Sequence, residues 1–405
     1  MSLGLSAMGG ILFLGGGSTV TIAQRMFEGM NSFALLAIPL YTFAGFTMSK
    51  GGISKRLMDF CYSIVGHIYG GLAHVNVLSS MIFAGISGSA VADTAGVSGM
   101  FMPEMVRKGY SKNFTVAVTA ISSTIGIIIP PSIPMVVIAG ICGISTGKLF
   151  LGGIIPGILC GLAQMIVSYF LAKKEGVPKE PGHFTIGPVL HGLWESWPAL
   201  LMPIIIVGTI TMGIVSPTEA GVIAVVYGLF AGGIIYRELK WEDIKFAFAE
   251  TVRTSGRIFI VIGAAKLYTV MLTTAGFDKW VAKTMLGFST NPTVILIMIL
   301  LIFFIVTMFM ESIATLTLFM PILYPIALGV GINPIVLSVL ITVVIGIGLV
   351  TPPVGMCIYV ACDLMDTTVG EVFPTLVPFI AATFVCIALM VAFPQLILLP
   401  TYLMA

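Results

Sequence analysis

The sequence predicts an all-α polytopic membrane protein, and three observations support this fold class. Hydrophobic residues make up 58% of the 405 residues and charged residues only 9%, with a mean hydropathy of +1.10. A soluble globule of this size cannot bury so much apolar surface, so a bilayer is expected to cover it. Long apolar segments recur, and the polar–apolar alternation of membrane strands is absent. The segments are therefore predicted to form a helical bundle.

Several segments are long enough to cross about 30 Å of hydrocarbon as helices, among them 149–172, 197–215, 218–236, 257–275, 293–310 and 372–393. The first apolar stretch has no basic residue before Arg25, unlike a signal peptide, and is predicted to be a short membrane segment. Residues 236–257 mix Trp241 and Phe246 with charges, which is typical of a helix lying along the membrane surface. Lys266 is predicted to pair with an acid inside the bilayer or to extend to the interface.

Charge and cysteine placement exclude several function classes. Nineteen basic and 17 acidic residues give a net charge of +2, and no basic stripe exists to bind phosphates, so no nucleic-acid partner is expected. The six cysteines lie mostly in apolar stretches without metal-ligand spacing, and we assign them no chemistry. They are Cys61, Cys142, Cys160, Cys357, Cys362 and Cys386.

An internal repeat divides the chain into two halves. The stretch "GIIIPPSIPMVVIAGICGISTGKLFLGGIIPGI" at 126–158 aligns without a gap on "GLVTPPVGMCIYVACDLMDTTVGEVFPTLVPFI" at 348–380. Upstream, "FMPEM" aligns on "FMPIL" with a shift of four residues between the two alignments. We therefore predict a first repeat over 1–180, a linker over 181–195 and a second repeat over 196–405. The linker is predicted from "LAKKEGVPKEPGHFTIGP" at 171–188, which is polar and rich in proline and glycine.

Lysine and arginine placement predicts that the two repeats have opposite orientations, which is the arrangement of many secondary transporters. The hairpin of the second half has no basic residue at either end and is placed outside, whereas Lys279 and Lys283 are exceptions to the rule. One threading puts the other basic residues in the cytoplasm: Lys50, Lys55, Arg56, Arg107, Lys108, Lys112, Lys173, Lys174, Lys179 and the 237–257 cluster.

The first repeat is predicted to contain a re-entrant hairpin over about 71–108, because each of its arms is short for a span. "GISGSAVAD" at its tip supplies turn-forming glycines, the hydroxyls of Ser87 and Ser89, and the acid Asp93. Small residues in membranes usually mark tight helix packing, which is the alternative interpretation. A carboxylate in the membrane favours a functional site instead, although it could also hold the hairpin in shape.

The second repeat is predicted to contain a matching hairpin over about 292–328, with "FMESIATLTLFMP" at its tip. The "FMP" alignment sets Glu311 opposite Asp93. Two acids at equivalent positions inside a membrane strengthen the functional interpretation.

Two spans are predicted to break at adjacent prolines, since each proline removes an amide donor and frees a carbonyl. The broken helices cover about 113–143, around Pro130 and Pro131, and about 334–362, around Pro352 and Pro353. Freed carbonyls and nearby hydroxyls suit a small cation such as Na⁺, whereas half-helix N-termini favour an anionic substrate.

Four motifs resemble the large membrane subunit of tripartite ATP-independent periplasmic (TRAP) transporters: "PLYTFAGFTMSKGGISKRL", "GGLAHVNVLSSMIFAGISGSAVAD", "STIGIIIPPSIPMV" and "LVTPPVGMCIYV". The resemblance covers essentially the whole chain. It implies an elevator-type transporter in the bacterial inner membrane that takes up an organic acid, of the sialic acid or C4-dicarboxylate class, with Na⁺ as the coupling ion. It also implies two partners, a small membrane subunit and a periplasmic substrate-binding protein. At its start the chain departs from the family, since "MSLGLSAMGGILFLGG" is short for the family's first apolar segment. The expectation is that part of the first span is missing from this sequence or that the sequence belongs to a longer subunit or a fusion.

Carried onto the matching stretches, the resemblance implies two Na⁺ sites with the substrate between them. The first Na⁺ site would use Gly85, Ser87, Ser89, Asp93, Ile129 and Ser132. The second would use Glu311, Ser312, Thr315, Gly346, Thr351 and Pro352. The substrate would contact Ser87, Gly88, Ser123, Thr124, Thr315 and Pro353.

Other function classes are weighed against this one. Paired acids and broken helices also suit a cation/proton exchanger or a Na⁺/carboxylate symporter that needs no binding protein. An intramembrane enzyme is disfavoured, because the sequence has no HExxH motif, no GxSxG in a suitable context and no pair of aspartates on facing spans.

Overall fold

The structure is a computed structural model that describes residues 2–13, 18–177 and 185–404. The regular structure within these residues is helical and contains no strand, so the predicted all-α class is confirmed. The helices are α1 (Ser2–Phe13), α2 (Thr19–Met30), α3 (Ala37–Lys50), α4 (Ile53–Val65), α5 (Gly71–Ser87), α6 (Ala90–Arg107), α7 (Lys112–Ser123), α8 (Ile133–Cys142), α9 (Thr146–Lys174), α10 (Ile186–Thr211), α11 (Pro217–Phe230), α12 (Trp241–Thr274), α13 (Phe277–Phe288), α14 (Pro292–Thr307), α15 (Ser312–Gly329), α16 (Pro334–Gly348), α17 (Met356–Met365), α18 (Val369–Ala392) and α19 (Gln395–Leu398).

Seven helices in the described ranges are long and apolar enough to cross a membrane. They include α9, α10, α12 and α18, the helix formed by α11 and its continuation to Ile235, and two spans that hydropathy did not single out, Phe33–Lys50 and α15. The expected span 293–310 is instead the shorter helix α14, which ends at Thr307. The chain turns after Thr307 because Glu311 caps a new helix there.

The polar linker is shorter than its composition suggests. Residues 178–184, which include the first part of the predicted 181–195 segment, lie outside the described residues. From Ile186 onward the chain is already helical, so the second part of the predicted linker belongs to α10. Apolar residues at Ile186, Leu190 and Trp194 recur at helical spacing on an exposed face of α10, and this periodicity outweighs the neighbouring prolines and glycines.

The predicted surface helix and the span after it form one continuous helix. α12 runs over 34 residues from Trp241 to Thr274, which is about 50 Å at 1.5 Å per residue. Its first turn carries Glu242 and Asp243, as suits the positive end of the helix dipole. Nothing between the polar and apolar parts ends the helix, since the stretch contains no proline. α12 packs against α2, α3 and α15.

Hairpins precede both broken helices. α5 and α6 form the first hairpin, α7 and α8 the helix broken at Pro130–Pro131, and α9 the span that follows. In the second half, α14 and α15 form a hairpin, α16 and α17 the helix broken at Pro352–Pro353, and α18 the following span. Both Pro–Pro peptide bonds are cis. The element order is therefore the same in the two halves.

Buried polar side chains join the first hairpin to the first broken helix. The Asn76 amide nitrogen on α5 donates to the Thr119 hydroxyl on α7 at 2.7 Å, and its carbonyl oxygen accepts from Ser122 at 3.1 Å. Ser80 donates to Ser122 at 3.0 Å. All four side chains are fully buried. Such hydrogen bonds between membrane helices fix which helix faces pack together.

Candidate functional site

The tip of the first hairpin is a tight turn that contacts the first helix break. α5 ends at Ser87, Gly88 adopts a left-handed φ of 64°, and Ser89 caps α6. The Gly88 carbonyl accepts a hydrogen bond from the Ile133 amide at 3.2 Å. A Cβ at Gly88 would lie 2.6 Å from the Pro131 carbonyl oxygen. Only glycine satisfies both the backbone conformation and this close approach.

Asp93 lies in the first turn of α6 and is 1% exposed. Its Oδ1 accepts a hydrogen bond from the Ser87 hydroxyl, which ties the acid to the tip. Its Oδ2 accepts no hydrogen bond from any described residue and lies against the Cα of Gly126 in the broken helix. Buried carboxylate oxygens normally have a partner. A buried oxygen without one among the described residues is therefore a candidate ligand for a cation. The hydrogen bond to Oδ1 thus supports the structural interpretation of this acid, and the functional interpretation of Oδ2 stays a prediction.

The first helix break contacts that acid at Gly126 and carries several hydroxyl and carbonyl oxygens. α7 ends at Ser123, a 3₁₀ turn covers Thr124–Ile127, and Ser132 caps α8. The Ser132 hydroxyl donates to the Ile127 carbonyl at 2.5 Å and accepts from the Met135 amide at 3.3 Å. The Thr94 and Ser123 hydroxyls lie 2.5 Å apart, which joins the hairpin to the break.

The other first-site predictions divide between the tip and its packing. The Ser89 amide donates to the Ser87 hydroxyl at 3.3 Å. Gly85 is a packing position, because a Cβ there would lie 2.7 Å from the Pro203 side chain on α10. Ile129 packs against Gly157 of α9. Ser123 and Thr124 are buried, and their hydroxyls donate to carbonyls of their own helix turn at 2.8 and 2.7 Å.

Glu311 caps α15 at the second hairpin tip. Its carboxylate accepts from the Ile313 and Ala314 amides at 2.9 and 3.2 Å and from the Ser312 hydroxyl at 2.8 Å. The Thr315 hydroxyl donates to the Glu311 carbonyl at 3.1 Å. The Met308 carbonyl accepts from the Val354 amide at 2.9 Å, which joins this tip to the second break. A capping acid is therefore available to a ligand only through its remaining lone pairs.

The sequence pairing of Asp93 with Glu311 is wrong at the level of helix position. Glu311 is the N-cap of α15, whereas the N-cap of α6 is Ser89. Ser89 and Glu311 are separated along the chain by the same distance as Pro130 and Pro352. One ungapped alignment therefore relates both tips and both breaks. The shared "FMP" letters are offset by four residues from this alignment. They lie within helices, where no turn fixes the register, so an alignment on them pairs the wrong positions.

The second break crosses the first. A Cβ at Gly346 would lie 3.3 Å from Thr124 Cβ, and one at Gly348 would lie 2.6 Å from Thr307 Cβ. The Thr351 hydroxyl is buried and donates to the Ile347 carbonyl at 2.7 Å. Thr351 and Pro352 line a cavity of about 570 Å³, and Pro353 is exposed.

A cavity of about 230 Å³ lies where the two hairpin tips meet. The N-terminal turns of α6, α8, α15 and α17 all contribute to its wall, through Ser89, Pro134, Ser312, Met356 and their neighbours. Of the predicted site residues, it is lined by Gly88, Ser89, Glu311 and Ser312. Four positive helix ends around one cavity attract an anion.

Sequence reasoning missed the part of the cavity wall that α12 supplies. α12 contributes Thr254, Arg257, Ile258 and Val261 to its wall, although residues up to 257 were assigned to a surface helix. Their spacing of three, four and seven residues places them on one helix face. That periodicity, followed across the change from polar to apolar sequence, was the signal that could have found them.

Comparisons with known proteins show what this chain is similar to. A family model described as "Tripartite ATP-independent periplasmic transporter, DctM component" matches residues 1–396. The isethionate TRAP transporter permease protein DctMQ of Oleidesulfovibrio alaskensis is 36% identical over 94% of this chain. The sialic acid TRAP transporter large permease protein SiaM of Vibrio cholerae is 36% identical over 93% of it. The C4-dicarboxylate TRAP transporter large permease protein DctM of Pseudomonas aeruginosa is 34% identical over 99% of it.

These relatives differ in how much of their length the chain covers. It spans 60% of DctMQ, 88% of SiaM and 94% of the P. aeruginosa DctM. Two solved transporters share the fold at only 13% identity. The Alcanivorax borkumensis YdaH transporter has a TM-score of 0.61 over 93% of this chain and 88% of its own. Neisseria gonorrhoeae MtrF has a TM-score of 0.60 over 92% and 84%.

Proposed function

The chain belongs to the DctM family of large permeases of TRAP transporters, and on that premise we propose that it takes up an organic acid anion in symport with Na⁺. Its relatives are transporter permeases and not enzymes. The observation that carries the proposal is the cavity in which both hairpin tips and both helix breaks meet. Binding a substrate at broken helices near the middle of the membrane is a general device of secondary transporters.

An anionic substrate suits the wall of the cavity. Four helix N-termini face it, and the charge of its one acidic lining residue, Glu311, already serves to cap α15. The relatives are named for isethionate, sialic acid and C4-dicarboxylates, which are all acids. We therefore propose the same class, an organic acid anion such as sialic acid or a C4-dicarboxylate.

The proposed first Na⁺ site lies behind the cavity, between the first tip and the first break. The buried Asp93 Oδ2 accepts no hydrogen bond from a described residue. The Ser87 hydroxyl donates to the other oxygen of this carboxylate, and Ser132 lies on the same broken helix as Gly126, which Oδ2 contacts. A carboxylate, hydroxyls and the carbonyls beside Pro–Pro are hard oxygen donors that suit Na⁺. Asp93 would supply the negative charge that makes this site selective for a cation.

The proposed second Na⁺ site lies between the second tip and the second break. A carboxylate has about four lone-pair sites, and three hydrogen bonds occupy those of Glu311. The remaining one would join the oxygens of Thr315 and Thr351 and the backbone between Gly346 and Pro352. This site has weaker charge than the first, because Glu311 is partly neutralised by the start of α15.

We also propose alternating access by an elevator movement, which the same layout supports. The hairpins and broken helices contact each other through the tips, through the Thr94–Ser123 contact and through the Gly346–Thr124 crossing. We propose that they move as one body, related by an inverted repeat, against α3, α10, α11 and α12. Small residues let neighbouring helices approach closely. Gly45 on α3 is one of them, since a Cβ there would lie 3.3 Å from the Ser87 Cα. We propose that such smooth contacts allow the two parts to slide.

The proposed assembly contains a small membrane subunit and a periplasmic binding protein, in a bacterial inner membrane. The name of DctMQ and the 60% of its length spanned by this chain suggest a second membrane component. The exposed face of α10 with Trp194, Trp197 and Ile204 is apolar, as a face that packs on another membrane protein or on lipid must be.

Uptake into proteoliposomes tests this function. The chain would be reconstituted with its small subunit, and uptake of labelled N-acetylneuraminate, succinate and isethionate would be measured with and without a Na⁺ gradient and the cognate binding protein. We expect uptake of one acid that requires both. Uptake that follows a pH gradient without Na⁺ would favour a proton-coupled exchanger instead. Uptake that is indifferent to the binding protein would favour a simple Na⁺/carboxylate symporter.

A further inference from the structure

Arg257 is the charged side chain that α12 brings to the cavity. It lies at the wall with Thr254, Ile258 and Val261, opposite the starts of α6 and α15. The apolar part of this helix face suits a carbon skeleton, and the guanidinium suits an acid group. The helix starts and the Arg257 side chain therefore line the same cavity.

Arg257 differs from most arginines of this chain in its surroundings. No hydrogen bond or ion pair joins its side chain to another residue in the described part of the chain. Four other arginines each pair with a glutamate, namely Arg25 with Glu28, Arg56 with Glu238, Arg107 with Glu104 and Arg253 with Glu250. Arg253 lies one turn earlier on the same helix, and its ion pair measures 2.6 Å.

Among the described residues that line the cavity, only Glu311 is an acid that could pair with that cation. Glu311 gives its carboxylate to two amides and a hydroxyl at the start of α15. An arginine that faces a cavity with its charge uncompensated attracts an anion from solution. Its planar fork can donate two parallel hydrogen bonds to a carboxylate or a sulfonate.

We propose that Arg257 binds the acid group of the transported substrate and sets the preference for anions, an inference that rests on the transport function proposed above. The hairpins and the broken helices supply neutral donors from their helix starts, whereas α12 supplies the full positive charge. Because α12 lies outside the hairpins and broken helices, this ion pair forms only while the cavity faces α12. Substrate binding is then coupled to the position of the hairpins relative to α12.

The test compares Arg257→Gln, Arg257→Lys and the matched control Arg253→Gln in the proteoliposome assay, using whichever of the three labelled acids the wild type takes up. We expect Arg257→Gln to raise KM roughly 10- to 100-fold, as expected for losing a charge-assisted hydrogen bond, with a smaller change in kcat. Arg257→Lys should recover part of the loss, and Arg253→Gln should stay within about twofold of wild type. The midpoint of thermal unfolding should be the same in all four proteins.

A second measurement separates a binding role from a structural one. The methyl ester or primary amide of the transported acid is added as an unlabelled competitor. It should inhibit the wild type much less than the unlabelled acid does, and in Arg257→Gln the two competitors should inhibit about equally. An unchanged KM and unchanged discrimination in Arg257→Gln, in a preparation whose wild type transports, would overturn this inference alone. A wild type that takes up none of the acids with Na⁺ would overturn the transport function and this inference together.

Discussion

Replacing Asp93 with asparagine separates the two roles that its carboxylate plays at the first hairpin tip. Oδ1 accepts from the Ser87 hydroxyl, and an asparagine oxygen can accept the same hydrogen bond. Oδ2 accepts no hydrogen bond from a described residue and lies against Gly126, and there the charge is lost. The substitution should therefore preserve the tip and weaken a cation at Oδ2.

The size of the effect follows from the chemistry of that oxygen. A charged partner in a hydrogen bond or ligand contact contributes about 1.5–3 kcal/mol, which is roughly a 10- to 150-fold change in an equilibrium constant. We expect Asp93→Asn to raise the Na⁺ concentration for half-maximal uptake by that factor. Ser87→Ala keeps the charge but removes a hydroxyl of the proposed site and its hydrogen bond to Oδ1. It should therefore raise the half-maximal Na⁺ concentration less than Asp93→Asn does, and it should also lower the midpoint of thermal unfolding.

The assay is a Na⁺ titration of uptake in proteoliposomes, with thermal unfolding in detergent as the measure of folding. Asp363→Asn is the matched control, because it removes an acid from an exposed position on α17. Its Na⁺ dependence should equal that of the wild type. If Asp93→Asn keeps the wild-type Na⁺ dependence, Asp93 does not bind the ion, and its carboxylate serves only to hold the hairpin.

Three further predictions concern stability and are measured as midpoints of thermal unfolding in detergent. Gly88→Ala should destabilise the protein by about 1–3 kcal/mol, since it forces a left-handed backbone and places a Cβ 2.6 Å from a carbonyl; Gly96→Ala, with open space around it, should not. Glu311→Ala should cost about 1 kcal/mol through the lost N-cap of α15, and Glu311→Asp should restore most of it. Asn76→Ala should cost about 1–2 kcal/mol, because Thr119 loses its partner on α5. An unchanged midpoint would mean that the hydrogen bonds of Asn76 between α5 and α7 contribute nothing to stability.

Local signals in the sequence were sufficient to predict the turns and the breaks. "GISGSA" predicts a turn, and the structure places Gly88 in the left-handed region with Ser89 as the next N-cap. Adjacent prolines remove two amide donors, so helices α7 and α16 end before them. Each of these outcomes depends on neighbours within a few residues.

Predictions that needed long-range information were less accurate. Composition could not show that residues 236–257 and the following span are one helix, α12, because the polar half is stabilised by its own capping and by α3. The alignment of the "FMP" letters placed Glu311 opposite Asp93, whereas the cap positions pair Glu311 with Ser89. A short shared motif inside a helix does not fix the register between two repeats.

The sequence by itself determined that this protein is a helical membrane protein with duplicated turns and breaks, because hydropathy, prolines and polar turns are local properties that the chain displays in order. Its family followed from the resemblance of its motifs to those of TRAP large permeases. Only the tertiary structure decided that the starts of α6, α8, α15 and α17 surround one cavity and that Arg257 completes it. It also decided which oxygen of Asp93 holds the tip and which accepts no hydrogen bond from the described residues. The physical reason is that both results depend on contacts between segments far apart in sequence, which packing in three dimensions establishes and local pattern does not.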